Sequence, residues 1–210
     1  MEGGAGQAEM MAVFHSDPVG LPGLAAIALG FLVFLLALLA ARLRAGRGPK
    51  AVVARRNNAS IFWILGQGLA IAIIGYGQIR VTLDPMGSEA LTKGFVTLVL
   101  MLAAILLFHI SSRAMGRNWS LVARTREDHQ LVQEGPFAFV RHPIYVALFL
   151  FMVAMAIAYG HTRNLIIGVP IYALATWFRI RHEERLLREQ FGGDYDAYAA
   201  RVKRFVPGVF

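Results

Sequence analysis

Cysteine is absent from this 210-residue sequence, and acidic residues are few, with 13 Asp and Glu against 21 Lys and Arg. The missing thiols exclude disulfides, thiolate nucleophiles, Cys-ligated zinc, iron–sulfur clusters and prenylation of the chain itself. Charged residues make up only 16% of the chain and hydrophobic residues 57%, whereas charged residues are about 25% of a typical soluble domain. These proportions exclude an ordinary water-soluble domain and indicate a membrane protein.

Several catalytic motifs are missing as well. There is no HExxH pair, and the histidines at 109, 129, 142 and 182 lie in separate segments, so we predict no metal site. The GxSxG motif of hydrolases is also absent, which disfavours nucleophilic hydrolysis. The sequence also lacks a βαβ pattern, which would have indicated a soluble nucleotide-binding domain.

Five apolar stretches occupy most of the chain, at about 19–41, 59–79, 94–112, 143–160 and 164–178. A membrane-spanning helix needs roughly 20 apolar residues, so the pattern predicts an all-α polytopic membrane protein with about five transmembrane helices. The fifth stretch is short for a crossing. Because no Gly or Pro follows it before Gly192, we expect its helix to continue about three turns beyond the apolar edge.

The basic residues are distributed unevenly between the two sides of these stretches. Eighteen of the 21 Lys and Arg residues follow the first, third and fifth stretches, and only Arg80, Lys93 and Arg163 follow the second and fourth. The positive-inside rule then places the N-terminus outside and the C-terminus in the cytoplasm. We expect a disordered extracytoplasmic tail at 1–18 and a basic cytoplasmic loop at 42–58. Because topology explains the basic surplus, we predict no nucleic-acid partner.

Polar side chains concentrate where the fourth and fifth stretches meet the predicted cytoplasmic side. The run Arg141-His142-Pro143 precedes the fourth helix, and Pro143 suits a first helical turn, whose free N–H groups attract anions. Arg179 and Glu183 are four residues apart and can form an ion pair on one helix face. By themselves, Arg141 to Pro143 favour interfacial anchoring over a functional site, and Arg179 and Glu183 favour a salt-bridged solvent face.

Two longer runs carry a resemblance to a known family. The segment HQLVQEGPFAFVRHPIY at 129–145 is followed by RIRHEERLLREQFGGDYDAY at 179–198. Together they resemble the C-terminal signature of the isoprenylcysteine carboxyl methyltransferase (ICMT) family, in its prokaryotic membrane form. The resemblance covers about residues 115–207. It implies that residues 113–210 form a methyltransferase core, in which the connector and the last two membrane helices hold S-adenosylmethionine at their cytoplasmic ends.

The resemblance also implies a set of site residues. Arg179 and Glu183 would be catalytic, and Arg179 would bind the acceptor. Cofactor contacts would fall on His129, Gln130, Leu131, Val132, Phe137, Arg141, His142, Pro143, Ile144, Tyr145, Glu183 and Glu184. Two positions depart from the family pattern, since Phe137 stands where Tyr is common and Val122 where Gln is frequent.

The resulting functional prediction is an S-adenosylmethionine-dependent methyltransferase in a prokaryotic inner membrane, acting on a lipophilic or lipid-attached acceptor. A polar sulfonium donor and a lipid-attached acceptor can meet only where water and bilayer both reach, which fits the cytoplasmic helix ends. Three alternatives stay open, because family membership does not determine the substrate. They are a phospholipid N-methyltransferase, an NADPH-dependent isoprenoid or sterol-type reductase on the same scaffold, and a non-catalytic membrane scaffold.

Overall fold

The computed structural model describes residues 16–46, 53–56, 59–116, 119, 124–126 and 130–208. Residues 1–15 of the predicted tail, Val122 and His129 lie outside these ranges. The described part contains six α-helices: α1 Leu21–Gly46, α2 Ala59–Gly75, α3 Ser88–Met115, α4 Pro143–Tyr159, α5 Leu165–Phe191 and α6 Gly193–Arg201. The first five coincide with the five predicted apolar stretches. Short 3₁₀ turns occupy Gly135–Ala138 and Thr162–Asn164.

Two of these helices are long and apolar enough to cross a membrane. They are α1, with a mean hydropathy of 2.8 over its best window, and α3, with 2.4. Both present large apolar side chains outward, including Leu29 at 66% exposure and Leu106 at 57%. Such faces are unfavourable in water and match a hydrocarbon environment. The apolar part of α2 and all of α4 are shorter, so a crossing by all five helices stays a prediction.

A short β-ribbon departs from the all-α prediction within the described ranges. Strand β1, Val53–Arg56, pairs antiparallel with β2, Arg124–Arg126. The ribbon joins the loop after α1 to the connector after α3. Backbone pairing requires the two segments to lie on the same side of the helices, which agrees with the predicted cytoplasmic location of both.

The helices pack in a simple arrangement in which α1 lies on α3, α3 on α4, and α2 on α5. A core of buried residues, among them Ile74, Met101 and Met152, lies between them. The contact of α2 with α5 is close because a Cβ atom on Gly168 would lie 2.5 Å from the Ile74 side chain. Small residues permit such approach between membrane helices. The close contact at Gly168 brings the polar side chains of α2 within reach of α5.

One end of the bundle is closed mainly by hydrogen bonds to backbone carbonyls. The Asp17 amide donates to the Gly160 carbonyl at 2.8 Å, and the Asn164 side-chain amide donates to the carbonyls of Ile73 and Tyr76 at 3.0 and 2.9 Å. Ser16 is buried here. Residues 16–18, which the sequence assigned to a disordered tail, are therefore held against the hairpin between α4 and α5.

At the other end, α5 continues as one helix to Phe191, as predicted, and ends at Gly192, whose φ of +52° suits glycine. Helix α6 follows, and the chain then returns to the start of α4. There the Arg141 amide donates to the Lys203 carbonyl at 2.8 Å, and the His142 amide donates to the Arg204 carbonyl at 3.1 Å. The C-terminal segment is thereby fixed beside the segment that begins α4.

Candidate active site

A buried carboxylate connects α5, the start of α4 and the C-terminal segment. Glu184 on α5 is only 1% exposed. Its carboxylate accepts hydrogen bonds from Arg141 Nη2 at 2.9 Å, from Arg204 Nη2 at 2.7 Å and from His142 Nε2 at 3.2 Å, with further bonds from both arginine Nε atoms. Arg141 also donates to the carbonyls of Ala199 and Val202. We call Glu184, Arg141, His142 and Arg204 the Glu184 cluster.

The charge of Glu184 is strongly stabilised in this cluster. Burial alone would raise the pKa of its carboxyl, but the hydrogen bonds from His142, Arg204 and Arg141 outweigh burial and hold that pKa far below its ordinary value. The hydrogen bond to Glu184 in turn raises the pKa of Arg204. With both carboxylate oxygens occupied by these donors, the geometry favours a structural role for Glu184 over the predicted cofactor contact.

A second polar cluster lies one residue earlier on α5. Glu183 Oε1 accepts hydrogen bonds from the Tyr145 hydroxyl at 2.6 Å and from Arg179 Nε at 3.2 Å, which confirms the predicted ion pair. Arg179 is 7% exposed, and its guanidinium lies 5.2 Å from the centre of the Tyr145 ring. Arg179 Nη1 also donates to Gln67 Oε1 at 2.9 Å, and Gln67 Nε2 donates to Thr176 Oγ1 at 2.8 Å.

These contacts bring together the two segments on which the predicted site depends. The segment that begins α4 contacts both glutamates of α5, through Arg141 and His142 with Glu184 and through Tyr145 with Glu183. Adjacent glutamates on one helix thus bond to different partners, because successive helical residues point in different directions. Glu184 organises the backbone around the start of α4, while Glu183 orients Arg179 and Tyr145.

A pocket lies next to the Glu184 cluster. Its walls come from the connector before α4, the start of α4, the extension of α5, helix α6 and the end of α3. Both apolar and hydrogen-bonding side chains contribute to it, and the lining residues are Met115, Gln130, Leu131, Val132, Phe137, Arg141, His142, Leu187, Tyr195 and Tyr198.

Six of the twelve predicted cofactor residues line this pocket, namely Gln130, Leu131, Val132, Phe137, Arg141 and His142. Tyr145 and Glu183 belong to the cluster around Arg179. Ile144 instead packs against a core that includes Phe34, Phe108 and Trp119. Pro143 is buried in the first turn of α4. Consecutive residues of a helix point in different directions. Pro143 and Ile144 therefore do not line the pocket, although Arg141 and His142 just before them do.

Several residues around the site were not anticipated from the sequence. Leu187 follows Glu183 by four positions, so helical spacing could have indicated it. Gln67 is a polar residue inside an apolar helix, and such residues often mark functional positions in membrane proteins. Tyr195 and Tyr198, expected only as a packed aromatic edge, do pack together with ring centres 6.1 Å apart, but they also line the pocket.

Residues 95–189 match the model of the isoprenylcysteine carboxyl methyltransferase (ICMT) family. This confirms the resemblance drawn from the two sequence motifs. The ICMT match extends from α3 to the extension of α5, and so includes Arg141 to Tyr145 and Arg179 to Glu184.

Several curated relatives each align with slightly less than half of this chain. The chain is 30% identical over 108 residues to the protein-S-isoprenylcysteine O-methyltransferase of Schizosaccharomyces pombe, covering 47% of this chain and 44% of that protein. It is 32% identical over 100 residues to the protein-S-isoprenylcysteine O-methyltransferase B of Arabidopsis thaliana, covering 45% and 49%. A nickel-cobalt-cadmium resistance protein, NccN of Alcaligenes xylosoxydans xylosoxydans, is 33% identical over 100 residues, covering 47% and 46%. The chain therefore spans about half the length of these relatives.

Proposed function

We propose that this protein is an integral-membrane, S-adenosylmethionine-dependent methyltransferase that methylates a carboxylate on a lipophilic or lipid-attached acceptor. The observation that carries the proposal is the position of the pocket, which lies beside the contact between Arg141–Tyr145 and Arg179–Glu184 within the ICMT-matching region. The pocket shares Arg141 and His142 with the Glu184 cluster, and Arg179 is bonded to Glu183, the residue before Glu184. A donor in the pocket and an acceptor at Arg179 would therefore be held at the same end of the bundle.

The residues around the pocket suit the proposed cofactor. S-adenosylmethionine combines a flat base, a ribose, an amino acid and a sulfonium, and so needs both apolar walls and hydrogen-bonding groups. Leu131, Val132 and Phe137 provide apolar surface, while the Gln130 amide and the His142 ring provide polar groups. When bound, the cofactor supplies a methyl group on an electron-poor sulfur. This donor set fits it without a soluble nucleotide-binding domain.

Arg179 is the residue we assign to the acceptor. Glu183 and Gln67 hold its guanidinium in one orientation from two different helices. A planar guanidinium pairs well with a carboxylate, because its N–H groups match the carboxylate geometry. Arg179 would neutralise the acceptor and aim one carboxylate oxygen at the methyl carbon. Methyl transfer by direct displacement needs no covalent enzyme intermediate, so the main contribution of these residues is positioning.

The membrane supplies the route for the acceptor. The outward faces of α1 and α3 are strongly apolar, and a lipid-attached substrate would partition into the same layer. Its polar end would then reach Arg179 at the end of the bundle that we predict to be cytoplasmic. An extracytoplasmic N-terminus, a cytoplasmic C-terminus and location in a prokaryotic inner membrane belong to the same proposal.

The deciding experiment supplies labelled methyl donor to membranes that contain the protein. Two acceptors are compared, a small S-prenylated cysteine with a free carboxylate and a phosphatidylethanolamine. We expect a base-labile methyl ester on the first and no base-stable N-methyl group on the second. The Arg179→Ala variant serves as a control and should transfer no methyl. N-methylation of the lipid amine would instead support the phospholipid alternative, and no transfer to either acceptor would contradict the carboxylate proposal.

A further inference from the structure

The side chain of Tyr195 has an unusual position in α6. It lines the pocket and is 1% exposed, yet its buried hydroxyl has no hydrogen-bond partner within the described part of the chain. Other buried tyrosines of the site are paired. The Tyr198 hydroxyl donates to the Phe137 carbonyl at 2.7 Å, and the Tyr172 hydroxyl donates to the Tyr145 carbonyl at 2.8 Å.

An unpaired buried hydroxyl is a cost that the protein could avoid. Folding removes the hydroxyl from water without replacing the lost hydrogen bonds, and phenylalanine would pack in nearly the same way without this penalty. The ring itself is well held, because it packs edge-on against Tyr198 and lies 5.3 Å below the Arg188 guanidinium. Within the described part of the chain, the hydroxyl therefore adds no hydrogen bond to the packing of α6. Because the ring is held, the position of the hydroxyl is fixed before any ligand binds.

The hydroxyl is also kept in its neutral form. Burial raises the pKa of Tyr195, and the negative charge of Glu184 raises it further, against the opposing effect of Arg141. A neutral phenol can both donate and accept one hydrogen bond. It is therefore suited to a polar group of a ligand in the pocket.

We infer that the Tyr195 hydroxyl hydrogen-bonds the adenosyl sulfonium cofactor in the pocket, so that α6 is part of the binding site. The inference rests on the proposed function and extends it to Tyr195, which lies beyond the family-model match at residues 95–189 and to which the resemblance assigns no cofactor contact. The ligand would then satisfy the hydroxyl that is unpaired in the structure. Tyr195 would thus increase the affinity for the cofactor but lower the stability of the fold when no cofactor is bound.

The test is a Tyr195→Phe variant of the full chain, titrated with S-adenosylhomocysteine, the demethylated form of the cofactor. We expect affinity to fall about five- to tenfold, the amount that corresponds to one neutral hydrogen bond. The thermal unfolding midpoint without ligand should be unchanged or higher. The matched variant Tyr198→Phe should show the opposite stability effect, a lower midpoint without ligand, because it removes the bond to the Phe137 carbonyl.

The two hypotheses fail in different ways. If the wild-type protein does not bind S-adenosylhomocysteine, the proposed function and this inference are both rejected. If the wild type binds it and the folded Tyr195→Phe variant binds equally well, only the role of Tyr195 is rejected. A loss of ligand-free stability in Tyr195→Phe as large as that in Tyr198→Phe would also overturn the inference, since the hydroxyl would then have a structural partner.

Discussion

Gln67 and Arg179 are 112 positions apart in the chain, and their side chains form a hydrogen bond of 2.9 Å from Arg179 Nη1 to Gln67 Oε1. Gln67 is 4% exposed and lies on α2, outside the region that matches the ICMT family. Its own amide donates to Thr176 on α5. Helix α2, which the family resemblance does not include, therefore contributes directly to the orientation of the candidate acceptor-binding residue.

A Gln67→Leu variant should weaken use of the acceptor without changing cofactor binding. A buried hydrogen bond to a charged group contributes about 1.5–3 kcal/mol, so we expect kcat/KM for the acceptor to fall roughly ten- to a hundredfold. The affinity for S-adenosylhomocysteine should stay the same. Gln78→Ala, at the opposite end of the bundle, is the control. Equal losses in acceptor use and cofactor affinity would indicate general destabilisation instead of positioning.

Glu183→Ala and Arg179→Ala should differ in their effects on cofactor affinity and on methyl transfer to the acceptor. The family resemblance assigns Glu183 to the cofactor, and its carboxylate also holds Arg179, so we expect Glu183→Ala to weaken cofactor affinity strongly and to slow turnover. Arg179→Ala should spare the affinity while abolishing turnover. Calorimetric titration with S-adenosylhomocysteine and a methyl-transfer assay measure the two effects. Glu189→Ala, an exposed carboxylate on the same helix, should change neither. The reverse pattern would overturn the assignment of the two residues.

Glu184→Gln should lower the free energy of unfolding, and this loss should be larger than any change in the free energy of ligand binding. Removing one partner of a buried ionic cluster costs about 3–5 kcal/mol, because the remaining charges lose their compensation. The thermal unfolding midpoint of the purified protein measures the loss. Arg204→Gln is expected to cost less, since Arg204 is partly exposed and Arg141 remains bonded to Glu184. If Glu184→Gln unfolds like the wild type, the cluster has no structural role.

The same cluster predicts how stability depends on pH. The pKa of Glu184 is lower in the folded protein than its ordinary value of 4.5, so the unfolded state binds the proton more tightly. The contribution of Glu184 is therefore fully present above about pH 5 and is lost progressively as the pH falls below 4.5. The difference in unfolding midpoint between the wild type and Glu184→Gln should shrink over that acidic range. A difference that is constant with pH would contradict the ionic role.

Topology can be tested directly because the chain contains no cysteine. Single cysteines introduced as Met86→Cys and Arg185→Cys lie at exposed positions, after α2 and on the extension of α5. A membrane-impermeant thiol reagent applied to intact cells should label the first and not the second. Labelling of Arg185→Cys from outside would reverse the predicted orientation, and the unsubstituted chain provides a background without thiols.

The positions of the helices followed from local properties of the sequence. Runs of apolar residues located the first five helices, and the absence of Gly and Pro between the fifth apolar stretch and Gly192 predicted the extension of α5. Helical spacing predicted the contact of Arg179 with Glu183. These features depend on residues a few positions apart, and so the sequence alone carries enough information for them.

Contacts between distant segments depended on how the helices pack and rotate. The close contact at Gly168 brings α2 against α5 and so gives Arg179 its partner Gln67, while the rotation of α4 turns Ile144 into the core. The different hydrogen-bond partners of Glu183 and Glu184 arise in the same way, and so does the position of the Tyr195 hydroxyl, which has no partner among the described residues. Hydropathy and period determine that a helix forms and which face is apolar. Only the assembled bundle decides which buried polar groups meet, because each hydrogen bond requires two segments to approach within about 3 Å.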